Sequence, residues 1–157
     1  MHRQLLILFT IGILLPCLAN AQEVPSLGLS VNPQVFELDI FPGEKITQKI
    51  NLRNLSEVAV PIAVRVTDFT AEEDSGEIIF DEALQDPSIA SGKWFAIKNP
   101  NFILNPGGKK EVEFTIVVPE NAELGGYYSV ILFEPQLPSF YFLEGEPRAI
   151  PVVGVLF

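Results

Sequence analysis

The chain has 157 residues, 48% of them hydrophobic, with 20 acidic against 10 basic side chains and a formal net charge of -10 at pH 7. That length allows one domain and not two, and a surface of that sign repels a phosphate backbone, so no nucleic-acid partner is expected. One histidine and one cysteine leave little material for the commonest nucleophilic and metal chemistries.

The chain opens Met1-His2-Arg3-Gln4, runs apolar from Leu5 to Leu15, and continues Pro16-Cys17-Leu18 into Ala19-Asn20-Ala21. A basic start, a short apolar stretch and small residues three and one before a cut are the pattern of a secretory signal peptide cleaved after Ala21. The run is too short for a spanning helix; an uncleaved N-terminal anchor is the competing reading. Lipidation of Cys17 is disfavoured because Pro16 stands where the processing enzyme needs a small flexible residue. The expected organisation is therefore a signal peptide over 1–21 and a single domain over 22–157, in a protein exported to the periplasm, the extracellular space or the cell surface.

Removing 21 residues from 157 leaves a mature chain of 136, which lacks Cys17, His2 and Arg3. Without cysteine there is no disulfide framework and no thiolate site. Without histidine there is no Ser-His-Asp triad and no imidazole zinc site. The expected protein is not an enzyme and carries no cofactor, catalytic residue or metal ligand. A carboxylate pair of the glycosidase kind and an unusual Ser-Lys pair are the chemistries the composition leaves open, and no motif announces either.

Along the mature chain the hydrophobic period is two almost everywhere. Asp39-Ile40-Phe41-Pro42-Gly43-Glu44 reads as a turn between an extended Val35–Ile40 and a strand over 45–54, in which Ile46, Ile50 and Leu52 share a face with Gln48 while Thr47, Lys49, Asn51 and Arg53 share the other. Val58, Val60, Ile62, Val64 and Val66 repeat the alternation. The polar connection Asn54-Leu55-Ser56-Glu57 predicts a hairpin joining the two. The turn Asn105-Pro106-Gly107-Gly108 precedes a third alternating strand, with Val112, Phe114, Ile116 and Val118 on one face. After the connection Pro119–Gly126, the run Tyr127–Phe133 predicts a strand buried on both faces. The best candidate for a helical turn is Phe80–Leu84.

Six to eight short strands with Pro/Gly turns and no long helix predict an all-β, antiparallel, immunoglobulin-like β-sandwich of about seven strands. Surplus length falls in the acidic stretch 70–92 and the Pro-rich stretch 134–147, both expected as surface loops. The final apolar run Ile150–Phe157 is too short to span a bilayer and predicts a last strand that is incomplete. On this reading a membrane is met only through a missing C-terminal anchor or an uncleaved N-terminal segment.

The order of the pieces is more specific than a generic sandwich. Leu29-Ser30-Val31-Asn32-Pro33, Phe41-Pro42-Gly43-Glu44, Ile50-Asn51-Leu52-Arg53-Asn54 and Val66-Thr67-Asp68-Phe69 resemble the first half of bacterial immunoglobulin-like, PapD-like surface domains. Lys93-Trp94-Phe95, Leu104-Asn105-Pro106-Gly107-Gly108, Val118-Pro119-Glu120-Asn121-Ala122 and Gly125-Gly126-Tyr127-Tyr128 are similar to the second half, including that of the N-terminal domain of WxL-interacting cell-surface proteins. The resemblance covers roughly residues 27 to 135 and implies an envelope or extracellular interaction module without naming a ligand. Pilus chaperones of this group pair two such domains around a basic anchor. This chain has length for one, and no chaperone residue is carried over.

Glu72, Glu73, Asp74, Glu77, Asp81, Glu82 and Asp86 crowd carboxylates that suit Ca²⁺, but EF-hand spacing is absent and a solvated acidic loop with a hairpin turn at Asp74-Ser75-Gly76 is the expectation. Trp94 and Phe95 suit stacking on a sugar ring, yet a lone Trp in a sandwich is expected to pack between the sheets. Tyr127 and Tyr128 should diverge, one to the core and one to the surface. Gly125 and Gly126 are expected to supply positive φ at the corner. Phe140, Tyr141 and Phe142 are candidate partner contacts, and so are Val152 and Val155, on a last strand whose unpaired backbone a partner strand would complete. The reading is a non-catalytic, secreted or cell-surface module that engages an envelope protein through sheet edges and loops. The alternative is a carbohydrate or peptidoglycan-binding module, with wall glycan as partner.

Overall fold

A computed structural model describes residues 27–71, 78–81, 90–138 and 152–157, with the backbone alone at 71 and 78–81. Among them are nine strands: β1 (Leu29–Asn32), β2 (Lys45–Asn54), β3 (Val60–Ala71), β4 (Ile78–Asp81), β5 (Phe95–Ile97), β6 (Asn101–Leu104), β7 (Lys109–Val117), β8 (Ser129–Pro135) and β9 (Val153–Leu156), with one 3₁₀ turn at Gly92–Trp94. One sheet runs β1-β2-β7-β5 and the other β4-β3-β8-β9. β6 shares the β4 edge of β3, since Ile62 pairs with Phe102 on one side and Pro135 on the other. Every ladder between these strands is antiparallel. The predicted immunoglobulin-like sandwich is what forms.

The period of two explains the core. Ile50 and Leu52 of β2 and Val112, Phe114 and Ile116 of β7 alternate inward, meeting Val60 and Ile62 of β3, Ile131 and Phe133 of β8 and Val155 of β9 from the opposite sheet. Each such side chain contributes about 1.5 to 3 kcal/mol by leaving water. β8 is buried on both faces, Val130 and Leu132 included, as its unbroken apolar run predicts. Its predicted start at Tyr127 moves to Ser129.

Three local expectations are corrected. β2 and β3 do not form a hairpin: they belong to different sheets, because Asn54 is not a solvated turn residue but a fully buried one. Its Nδ2 donates to the carbonyls of Val58 (2.7 Å), Leu104 (3.1 Å) and Asn105 (3.1 Å), and its Oδ1 accepts from Ser56 N (2.9 Å) and Ser56 Oγ. These bonds tie the end of β2 to the end of β6 and send the chain across the sandwich. Phe80 and Asp81 lie in strand β4, not a helical turn, because Asp68–Ala71 of β3 pairs with them in register. Of the acidic candidates only Asp81 falls in the described residues; Glu72, Glu73, Asp74, Glu77, Glu82 and Asp86, with the expected turn Asp74-Ser75-Gly76, lie outside them.

The third correction concerns Gly125 and Gly126, where no positive φ occurs; the left-handed glycines are Gly43 (φ 83) and Gly107 (φ 64). Gly107 turns the chain between β6 and β7, where Gly108 N donates to Asn105 O at 2.9 Å. Gly43 does so ahead of β2, in a turn where Glu44 Oε2 accepts from Phe41 N at 2.9 Å.

Candidate functional site

The segment after β1 decides the shape of one end of the sandwich. β1 pairs with β2, then after the cis Asn32–Pro33 bond the chain changes sheets: Val35 bridges Leu156 in parallel, Leu156 N donates to Gln34 O (3.0 Å) and Phe36 N to Leu156 O (2.8 Å). Residues 36–40 continue extended, with Phe36, Leu38 and Ile40 packed against the core and Glu37 and Asp39 exposed. Among the described residues, 37–40 have no ladder partner. Period two thus persists, as predicted for Val35–Ile40, without a strand beside it.

Opposite this segment lies the 3₁₀ turn Gly92–Trp94, held in place by Asp68 of β3. Asp68 Oδ1 accepts from the backbone N–H of Ser91 (3.0 Å) and Gly92 (2.7 Å) and from Ser129 Oγ (2.7 Å), and the hydroxyls of Ser91 and Ser129 meet at 2.6 Å. The turn has no side-chain cap of its own, so a carboxylate from the neighbouring strand satisfies its first donors. This places Trp94 against Tyr127, ring centroids 4.5 Å apart. Behind them Phe36, Phe114 and Phe157 form a cluster with centroids 5.0 to 5.5 Å apart, which Phe95 joins 5.1 Å from Phe157.

Between these walls opens a cleft of about 390 Å³. Phe36, Leu38, Ile40, Trp94, Phe95 and Phe157 supply its apolar floor, and residues 122–128 form the facing lip. On that lip Leu124 is 83% exposed and Tyr128 59%, and beside the cleft Phe41 is 63% exposed. Among the described residues, the charged side chains that line it are Glu37, Asp39 and Glu123, with no lysine or arginine, and none of the three has an ion-pair partner there.

The basic residues collect elsewhere. Lys45, Lys49 and Arg53 point outward from β2, where Lys49 faces Glu113 and Arg53 faces Lys109 of β7, and Lys98 joins this face through Glu113 at 4.0 Å. Lys49 pairs with Glu111 at 2.6 Å, and that carboxylate's hydrogen bond and charge raise the lysine's pKa above its ordinary value. The molecule is therefore sorted, with an acidic apolar cleft at one end and a mixed, mainly basic outer face on the β1-β2-β7-β5 sheet.

Of the aromatic residues singled out from sequence, Trp94, Phe95, Tyr127 and Tyr128 come together in the cleft. Trp94 is half-buried and packs on the core as expected; Tyr127 and Tyr128 precede β8 and both line the cleft, the first half-buried and the second exposed, so the expected division between core and surface does not form. Phe140, Tyr141 and Phe142 lie outside the described residues. Val152 is half-exposed just before β9, whereas Val155 is fully buried. The reciprocal bonds of Ser129 with Phe157 put Val155's backbone toward β8 in the same register, so its side chain serves the core. The outer edge of β9 is covered at Leu156 by residues 34–36. Sequence reading missed Phe36, Leu38, Ile40 and Leu124 as site residues; the alternation of the first three was its only trace. Among the described residues no group of three or more His, Cys, Asp and Glu side chains is placed to hold a metal.

Solved structures share this fold at low sequence identity. A PapD-like domain of human CEP192 aligns with 99% of this chain and 94% of its own, at 14% identity and a TM-score of 0.52. The fold is PapD-like. The class 5 fimbriae chaperone CfaA aligns with 82% of the chain at 13% identity and a TM-score of 0.52, and a chaperone from a chaperone-tip adhesin complex of CFA/I fimbriae with 82% at 14% and 0.54. The chain spans about half the length of these chaperones, 54% of each. No family model and no curated protein matches it.

Proposed function

We propose that this PapD-like domain is an exported, non-catalytic protein-binding module of a bacterial envelope that engages a partner protein through sheet edges and the loops beside them. The observation that carries the reading is the segment 37–40, which has no ladder partner among the described residues and runs beside an apolar cleft with exposed Leu124 and Tyr128 at its lip. An unpaired backbone next to apolar pockets is what strand addition requires: main-chain bonds supply affinity and alternate side chains supply selectivity. The occurrence of a similar fold in a chaperone-tip adhesin complex supports a protein as the ligand class. The signal-peptide pattern of 1–21 supports export. Phe140, Tyr141, Phe142 and Val152 extend the contact surface on this reading, Val155 acting through the core beneath it.

A wall-glycan partner is the second reading, favoured by Trp94 and Tyr127 at the cleft. Binding of the purified mature domain to an envelope preparation separates the two. Saturable binding that is lost on protease digestion and kept after digestion of the glycan supports the protein partner; the reverse pattern supports glycan and refutes the proposal. Val152→Pro and Asp39→Pro, both at exposed positions, should weaken the protein-dependent binding, and full binding by both variants refutes the edge mechanism.

A further inference from the structure

We infer that the cleft takes an apolar side chain borne on a lysine- or arginine-flanked segment of a partner protein. This deepens the protein-binding reading above and rests on it. The floor is built from Phe36, Leu38, Ile40, Trp94, Phe95 and Phe157, and its roughly 390 Å³ suit side chains, not a whole folded surface. Exposed Leu124, Tyr128 and Phe41 stand around the mouth, so apolar contact extends beyond the cleft onto the segment carrying the anchor.

Among the described residues the charge at the mouth has one sign. Glu37 and Asp39 alternate with Phe36, Leu38 and Ile40 along one lip, and Glu123 stands on the other. Lys45 lies at the same end of the sandwich but on the outer face of β2 opposite Val117, and Lys93 next to Trp94 does not line the cleft. Three carboxylates without a counter-ion among the described residues, set around an apolar floor, attract cations on either side of an inserted anchor and repel an acidic segment. A strand laid along 37–40 places its alternate residues in register with this pattern: one apolar residue inward for each pair of flanking residues at the rim. The arrangement also discriminates, because burying the anchor of an acidic segment brings like charges together.

Trp94 is the chain's single tryptophan and lines the cleft, so its emission reads occupancy directly. The mature domain would be titrated with a synthetic tryptophan-free peptide, Val-Phe-Val flanked by two lysines at each end, and with the same centre flanked by glutamates. A saturable emission change with the lysine peptide, at least ten-fold weaker for the glutamate peptide and weakened by 0.5 M salt, is the expected result. The variant Glu37→Gln/Asp39→Asn/Glu123→Gln should bind the lysine peptide at least ten-fold more weakly and lose the discrimination. Leu124→Ser should weaken it through the apolar part alone, keeping the preference for lysine. All four positions are exposed, and unchanged urea midpoints would show the variants folded. Equal binding of both peptides, undiminished binding by the triple variant, or no emission change at millimolar peptide overturns the inference. Protease-sensitive envelope binding that survives in the triple variant sinks this inference and leaves the protein-binding reading standing; lysine-selective peptide binding without any envelope-protein binding does the opposite.

Discussion

Replacing Asp68 by alanine tests whether the cleft wall is held by one carboxylate. Four donors converge on Asp68 Oδ1: Ser91 N at 3.0 Å, Gly92 N at 2.7 Å, Ser129 Oγ at 2.7 Å and, more weakly, Ser91 Oγ at 3.4 Å. Ser91 Oγ and Ser129 Oγ are 2.6 Å apart and keep each other as partners when the carboxylate goes, so the loss falls on two backbone N–H groups. A hydrogen bond to a charged acceptor contributes about 1.5 to 3 kcal/mol. Asp68 is only partly buried, so the lower end applies and Asp68→Ala should cost about 3 kcal/mol. With a urea dependence of about 1 to 3 kcal/mol/M for a domain of this size, the unfolding midpoint should fall by about 1 to 3 M. Asp68→Asn keeps an acceptor oxygen and should lose about 1 kcal/mol. Because the turn carries Trp94 onto Tyr127, the native-state emission should shift to the red in Asp68→Ala and little in Asp68→Asn. A midpoint within 0.3 M of the parent for Asp68→Ala, with unshifted emission, would refute the assignment of the turn's position to this carboxylate.

Asn54→Ala removes the buried bonds to Leu104 O and from Ser56 N, while Asn105 O keeps Gly108 N and Val58 O keeps Ser56 Oγ; the expected loss is about 3 kcal/mol in urea unfolding, and a loss under 1 kcal/mol contradicts its role as a clamp between the sheets. Gly107→Ala puts a Cβ on a residue at φ 64 and should cost about 1 kcal/mol, whereas Gly125→Ala, with nothing within 4 Å and no positive φ, should leave the midpoint unchanged; equal effects at the two positions would show that backbone handedness is not what Gly107 provides. Lys49 should titrate at lower pH by NMR once Glu111 becomes glutamine. Its folded pKa is raised, so any stabilisation from the pair is fully present below the unfolded lysine pKa and is lost as pH rises through the folded one. Because both groups are exposed, the unfolding midpoint of Glu111→Gln at neutral pH should stay where it is; a clear drop would mean the pair does more than a surface pair does.

The sorting of charge distinguishes the cleft from the outer face of the β1-β2-β7-β5 sheet. On the outer face of the β1-β2-β7-β5 sheet, Lys49 faces Glu113 and pairs with Glu111 while Arg53 faces Lys109, and solvent screens them. At the cleft the carboxylates flank an apolar surface, so a ligand that covers the floor also displaces the water that screens them. Their influence on a bound segment is correspondingly larger than that of the same charges on the open sheet.

The alternation of Ile46 to Leu52, Val60 to Val66 and Val112 to Val118 determined the strands and their buried faces, since a side chain's face follows from its parity once the backbone is extended. The unbroken run into Phe133 likewise determined a strand covered on both sides, and Pro and Gly determined where turns could fall. Which strands share a sheet was not in that pattern. Parity is blind to partner choice, so Asn54-Leu55-Ser56-Glu57 looked like a hairpin until the carbonyls of β6 appeared beside Asn54. The same holds for Asp68, an ordinary carboxylate in the sequence that becomes the anchor of a turn 23 residues later because β3 and β8 bring it there. The cleft is the clearest case. Phe36, Trp94, Tyr127 and Phe157 are far apart in the chain and meet only because residues 34–36 leave one sheet for the other and dock on Leu156, a long-range contact whose energy no local window of sequence contains.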